Sequence, residues 1–253
     1  MDLELTGKRA LVTGASKGIG RATARALARE GCDVHLAARD GAALAALATE
    51  LGVETGRRIT WTALDIAESA ALERLCAEAG VLDILVNNAG AIPAGTLDEV
   101  DEERWRAAWD LKVFGYVNLT RRVYATMRGR GGVIVNVIGA GGERVSAGYI
   151  AGAGGNAALM GITRALGGVS GRDGLRVVGI NPGLIVTERM EAMQRIHAAR
   201  ELGDAERWRE MLDPVYPPGQ PEHIADLVCF LASPRSGNTT GTVFTCDGGM
   251  CAR

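Results

Sequence analysis

Short apolar runs alternate with longer amphipathic stretches along nearly the whole chain. Residues 8–13 read as a strand and residues 19–30 as an Ala-rich helix. Residues 33–38 and 58–64 are further strands, each followed by a helical pattern, over 42–51 and 69–79. Residues 82–86 are almost continuously apolar, as a parallel strand buried on both faces must be. A long helix is predicted over 102–128, a strand over 132–138 and a helix over 155–169. Residues 175–180, 221–231 and 242–246 complete the series as strand, helix and strand. This rhythm predicts an α/β fold, a doubly wound parallel sheet that binds ligands at the carboxyl ends of its strands.

One stretch breaks the rhythm. Residues 187–220 contain helical pieces (190–200 and 204–212) but no strand, and close with Asp213-Pro214-Val215-Tyr216-Pro217-Pro218-Gly219. An insertion of that length over a sheet edge reads as a substrate-side lid. Its Met190, Met193, Ile196, Trp208, Met211 and Tyr216 either enclose a largely apolar substrate or pack the lid itself. No second-domain boundary interrupts residues 1–253, and one three-layer sheet of that size is ordinary.

Composition narrows the function classes. The net charge of −2 comes without any Lys/Arg block, which argues against a nucleic-acid surface. No run approaches the roughly 18 apolar residues that span a bilayer. The first residues lack the basic and hydrophobic segments of a secretory signal. Cys32, Cys76, Cys229, Cys246 and Cys251 are scattered without metal-ligand spacing, as reduced thiols of a cytoplasmic protein would be. No metal site is expected.

The richest chemistry lies between the first strand and first helix, in Thr13-Gly14-Ala15-Ser16-Lys17-Gly18-Ile19-Gly20. Glycines there permit a tight turn and bring backbone N–H groups and a helix N-terminus onto a pyrophosphate. The spacing is GxxxGxG, not the GxGxxG of the usual fingerprint. Three further motifs follow in order: Asn87-Asn88-Ala89-Gly90, Asn181-Pro182-Gly183 with Thr187, and Asp247-Gly248-Gly249. Together, over essentially the whole chain, they resemble the short-chain dehydrogenase/reductase family. The resemblance implies a single Rossmann-type domain with a seven-stranded sheet of order 3-2-1-4-5-6-7. It also implies a nicotinamide dinucleotide, a small-molecule substrate and a homotetramer or homodimer. Gly14, Ser16, Lys17, Gly18, Ile19 and Gly20 would then hold the pyrophosphate. Asp65 and Ile66 would hold the adenine, and Asn88, Ala89 and Gly90 the adenosine ribose. Pro182, Gly183, Ile185 and Thr187 would flank the nicotinamide. Asp65 could equally cap the next helix.

The second strand ends in Ala38, where NAD-preferring relatives carry Asp, and Arg39 follows. With Lys17 nearby, two cations and no carboxylate favour the 2′-phosphate of NADP over NAD.

The family's usual chemistry needs a Tyr to move the proton and a Lys one helical turn on. It also uses a Ser to orient the carbonyl and an Asn to anchor a water relay. Alignment from Asn181-Pro182-Gly183 backwards puts Gly152 at the Tyr position, Asn156 at the Lys position and Gly139 at the Ser position. Lys112 falls where Asn is expected. The Lys and Asn identities are therefore exchanged between facing helices, and an ammonium could still reach the same volume. The catalytic candidates are accordingly Tyr149, Lys112 and Asn156, with Asn156 also against the cofactor ribose. Tyr149 is either the proton donor, through a three-residue bulge at 152–155, or a packing residue. Ser146, Glu143 and Arg144 are lesser candidates in the same loop. The leading expectation is an NADP-dependent carbonyl/alcohol oxidoreductase. The competing one is an NADP-binding regulator, scaffold or inactive subunit.

Overall fold

The computed structural model describes residues 1–252. Its strands are β1 (Arg9–Thr13), β2 (Asp33–Ala38), β3 (Ile59–Ala63), β4 (Ile84–Asn87), β5 (Gly132–Val137), β6 (Leu175–Pro182) and β7 (Val243–Cys246). They form one parallel sheet in the order β3-β2-β1-β4-β5-β6-β7. Winding reverses between β1 and β4, the switch point where open α/β sheets take their ligands.

Alternate residues of each strand feed two cores, because successive side chains point to opposite faces. Val12, Leu36, Val86, Val135 and Ile180 pack with α1 (Gly18–Arg29), α2 (Gly41–Thr55) and α8 (Pro221–Ala232). Leu11, Leu85, Ile134 and Val177 pack with α3 (Ser69–Ala79) and α5 (Gly115–Met127). Covering both faces explains why Ala10–Val12 of β1 and Ile84–Val86 of β4 are unbroken apolar runs.

Two helices near the cleft differ from the sequence expectation. The helix predicted over 102–128 is α4 (Glu102–Trp109), a π turn (Asp110–Phe114) and then α5. In that turn the Gly115 N–H reaches back to Asp110 O, so one extra residue is accommodated without ending the helix. Next, α6 (Ile150–Ser170) starts five residues before the predicted 155. Its glycines read as breakers, at about 1 kcal/mol each against Ala. Burial of Ala151 beside Ile92, Val100 and Ala108 offsets that preference. Because α6 is unbroken, the bulge considered at 152–155 does not exist.

The lid consists of α7 (Glu188–Glu201) and a 3-10 stretch (Ala205–Met211). Its base is pinched shut, with Val186 N donating to Gly219 O (2.8 Å) and Gly219 N to Leu184 O (2.9 Å). Met190, Ala198 and Trp208 form a small core with Leu202, Met211 and Leu212. Met190, Trp208 and Met211 therefore serve the lid's own packing, whereas Ile196 and Tyr216 are exposed. No described helix is long and apolar enough to cross a membrane.

Candidate active site

The loop from β1 into α1 is shaped by its glycines. Gly14 and Gly18 have φ of +67° and +55°, a region that favours residues without Cβ. A Cβ on Gly20 would collide with Gly14 O and come within 2.5 Å of Asn88 Nδ2. Helix α1 begins without a side-chain cap on its first N–H groups and without an acid in its first turn. Those donors and the positive helix end fit a phosphate. From behind, Asn88 Nδ2 donates to Thr13 O (2.9 Å), and Thr13 Oγ1 accepts from the N–H groups of Asn88 (2.9 Å) and Ala89 (3.2 Å). The Asn88–Gly90 turn is thus a brace for the glycine loop.

Arg39 projects into solvent beyond β2 and lies 3.8 Å from Asp65. Asp65 also accepts from Ala67 N (3.0 Å), fixing the turn that leads to α3, while Ile66 is buried. Lys17 pairs at 3.2 Å with Glu188 on the lid. Exposed pairs of this kind contribute about 0–1 kcal/mol, so either cation is free to turn to a phosphate. Pro182 and Gly183 end β6; a Cβ on Gly183 would approach Asp247 Cα to 2.7 Å, which explains why those two motifs occur together. Ile185 is buried, and Thr187 caps α7 by accepting from Met190 N (3.1 Å). The Thr187 methyl faces Gly18 across the cleft. The residues expected to hold the dinucleotide therefore lie at the carboxyl ends of β1 to β4 and β6, and the glycine loop with its uncapped helix end fits such a group.

The other end of the cleft is built from side chains. Tyr149 is pinned just before α6 through its neighbours, with Gly95 N donating to Gly148 O (2.7 Å) and Ile150 N to Gly95 O (3.4 Å). Its ring folds back along the helix. A Cβ on Gly152 would overlap Tyr149 Cζ and Cε1, and one on Gly141 would lie 3.2 Å from Cδ1. The phenol ring thus fills the volume into which a side chain at position 152 would point.

Lys112 sits in the π turn and is buried, its ammonium donating to Ile138 O. A Cβ on Gly90 would lie 3.0 Å from Lys112 Cδ. Asn156, fully buried on α6, brings Nδ2 to 2.9 Å from where a Cβ on Gly139 would be. Its Oδ1 has no hydrogen-bond partner among the described residues. Two helices thus deliver an amine and an amide to adjacent residues, Ile138 and Gly139, at the end of β5. Burial pushes the Lys112 amine down to about 7, and the Arg189 guanidinium adds to the effect.

Arg189 carries no signal in the sequence. Its Nη1 and Nη2 donate to Gly90 O (3.1 Å) and Ile92 O (2.6 Å), tying the lid to the loop after β4. The lesser candidates have structural partners: Ser146 Oγ accepts from Gly148 N, Glu143 from Thr245 Oγ1, and Arg144 donates to Met250 O. Among the described residues no cluster of three His, Cys, Asp or Glu could hold a metal. A hollow of about 480 Å³ lies outside the cleft between Leu97, Trp105, Trp109 and Phe114, with Glu102, Arg106 and Asp110 on its rim.

A family model described as enoyl-(acyl carrier protein) reductase matches residues 14–251. The chain is 32% identical to a 3-oxoacyl-[acyl-carrier-protein] reductase of Chlamydia trachomatis, over 97% of this chain and 98% of that protein. It is 36% identical to a 2-keto-3-deoxy-L-fuconate dehydrogenase of Xanthomonas campestris pv. campestris, over 97% of this chain and 80% of the relative. Among solved structures, L-sorbose reductase from Gluconobacter frateurii, complexed with NADPH and L-sorbose, superposes with a TM-score of 0.90. Identity there is 32%, over 100% of both chains. The chain belongs to the short-chain dehydrogenase/reductase family of oxidoreductases.

Proposed function

We propose that this protein is an NADP-dependent reductase or dehydrogenase of a small carbonyl/alcohol pair, with its proton chemistry carried by Tyr149, Lys112 and Asn156. The observation that carries the reading is the Tyr149 ring occupying the volume in front of Gly152. A phenol ring would thereby stand over the position that corresponds to the family's proton-transferring Tyr, although it arises three residues earlier in the chain, and its hydroxyl would act from there. When bound, the nicotinamide supplies or accepts the hydride at its C4.

The protein's own contributions follow from the geometry. Gly14, Ser16, Lys17, Gly18, Ile19 and Gly20 would hold the pyrophosphate through backbone N–H groups and the α1 N-terminus. Arg39 and Lys17 would hold the 2′-phosphate, and the NADPH complex of the sorbose reductase supports that preference. Asp65, Ile66, Asn88, Ala89 and Gly90 would line the adenosine. Pro182, Gly183, Ile185, Thr187 and Asn156 would line the nicotinamide riboside. Asn156 has a buried carbonyl oxygen still lacking a donor, which a ribose hydroxyl would satisfy. Tyr149 would exchange a proton with the substrate oxygen. Lys112 would place its positive charge near the developing oxyanion when protonated. The exchange of Lys and Asn between the π turn and α6 would preserve one amine and one amide in the same volume.

The active site would thus be atypical for its family, and the alternative of a cofactor-binding protein without turnover is the outcome to test. NADPH fluorescence titration followed by oxidation assays over ketoses, 3-oxoacyl esters and aromatic ketones separates the two. Saturable NADPH binding with turnover of at least one class supports the enzyme. Tight binding without oxidation across the panel would replace it with a regulatory or scaffold role.

For assembly, the exposed face of α6, with Gly154, Ala157, Gly161 and Ala165 flanked by Ile162 and Val169, suits close approach of a second copy. Gly155 packs inward against Val113 and Trp109 and is not part of that face. Phe114 is half exposed beside the hollow on α4. A homodimer or homotetramer through these helices is the corresponding expectation, read by sedimentation velocity; a monomer at micromolar concentration would discard it.

A further inference from the structure

Three consecutive lid residues each touch a different wall of the cleft. Thr187 lies against Gly18, Glu188 pairs with Lys17, and Arg189 forks onto Gly90 and Ile92. Only the last is a multipoint bond to the main chain. A guanidinium satisfying two carbonyls gives charge-assisted bonds that an exposed Lys–Glu pair does not match. Gly90, the residue it grips, is also the wall against which the Lys112 stem packs. Lid, β4 loop, Lys112 and the end of β5 are therefore one contiguous series.

The charge around Lys112 is unusually simple. Its ammonium donates to Ile138 O beyond β5 and its stem packs against Gly90, while the next residue along, Gly139, faces the neutral Asn156 of α6. The buried Tyr116 phenol on α5 donates to Val137 O (2.9 Å), and burial raises its ionisation well above the ordinary phenol range. Asp110, on the same π turn, is exposed. Arg189 supplies the charge that acts on the amine. The chain contains 25 Arg and three Lys (Lys8, Lys17 and Lys112), so an amine in the one buried position is a group that can change its charge where Arg could not.

We propose that Arg189 is a positioning residue whose fork onto Gly90 and Ile92 latches the lid shut, and that latching and loss of the Lys112 proton favour each other. A closed lid brings the guanidinium close and disfavours a second positive charge; by reciprocity, an uncharged Lys112 favours the closed lid. The closed state binds the Lys112 proton more weakly than the open state. Below about pH 7 both states are protonated and closure does not vary with pH; above it, closure strengthens until the open state also loses its proton. The catalytic consequence rests on the role given to Lys112 under Proposed function, but the latch itself does not.

The experiment is hydrogen exchange of the α7 amides in the cofactor-free protein, corrected for chemical exchange, from about pH 6 to about pH 9. Wild type should be flat below about pH 7 and then gain roughly fivefold or more in protection. Arg189→Gln should lose that protection and its pH dependence, with the far-UV spectrum unchanged. Arg189→Lys keeps the charge without the fork and should lose protection while keeping part of the pH dependence. Lys112→Met should stay protected at all pH. Unchanged α7 protection in Arg189→Gln, or a surviving pH dependence in Lys112→Met, would overturn the proposal. Neither result bears on NADPH oxidation, which is read separately on the loaded enzyme.

Discussion

The two ends of the cleft are built in different ways. At the end proposed to take the adenosine and pyrophosphate the parts are backbone N–H groups, positive-φ glycines and a helix terminus, braced by the Asn88–Thr13 contacts. At the other end, proposed to take the nicotinamide, they would be side chains, Tyr149, Lys112 and Asn156, drawn from three separate points of two helices and a loop. A backbone device needs a fixed spacing of glycines and tolerates almost no change. A side-chain device needs only that certain atoms meet in space, and it can be reached from a different residue. On the proposed reading, that contrast would explain how one end keeps its motifs while the other is rearranged.

The largest effect should come from breaking the backbone end. Gly20→Ala puts a methyl group against Gly14 O, and neither partner can yield because both are main chain. A loss of about 3 kcal/mol in stability is expected in urea unfolding, together with loss of saturable NADPH binding. Retained binding would show that the loop is more pliant than it is described.

At the side-chain end the corresponding change is smaller and selective. Gly152→Ala places its methyl in the Tyr149 ring, which can swing away, so the fold survives. Turnover of an identified substrate should fall by roughly tenfold or more with NADPH affinity unchanged. Equal losses in both would mean that the ring serves the cofactor rather than the proton.

The smallest change sharpens cofactor choice. Arg39→Ala removes an exposed guanidinium from the end of β2 and should weaken NADPH binding about 10- to 100-fold, leaving NADH nearly unaffected. Parallel losses for both cofactors, measured by fluorescence titration, would move the 2′-phosphate away from Arg39.

The same contrast governs what could be read in the chain. Strands β1 to β7 were legible within two residues; in the central ones, β1, β4, β5 and β6, burial on both faces writes itself as apolar runs. The tight glycine turn after β1 was legible because its geometry is its spacing. The start of α6 was not, since Gly152, Gly154 and Gly155 look like breakers until the packing of Ala151 is known. The π turn hid a one-residue insertion inside an amphipathic helix that otherwise keeps its period. Tyr149 could be suspected from its proximity to Gly152, but its reach over that glycine depends on the Gly95 contacts. Arg189 left no trace, because its partners are carbonyl oxygens that any sequence would supply.

The account stands or falls on Tyr149. The direct measurement is single-turnover oxidation of NADPH by Tyr149→Phe with a carbonyl substrate that the wild-type protein reduces. Loss of the hydroxyl alone should slow the chemical step by about 10²- to 10⁴-fold while the Kd for NADPH stays within about twofold. A rate within about twofold of wild type would contradict the account, because the ring would then fill the space before Gly152 without doing its chemistry.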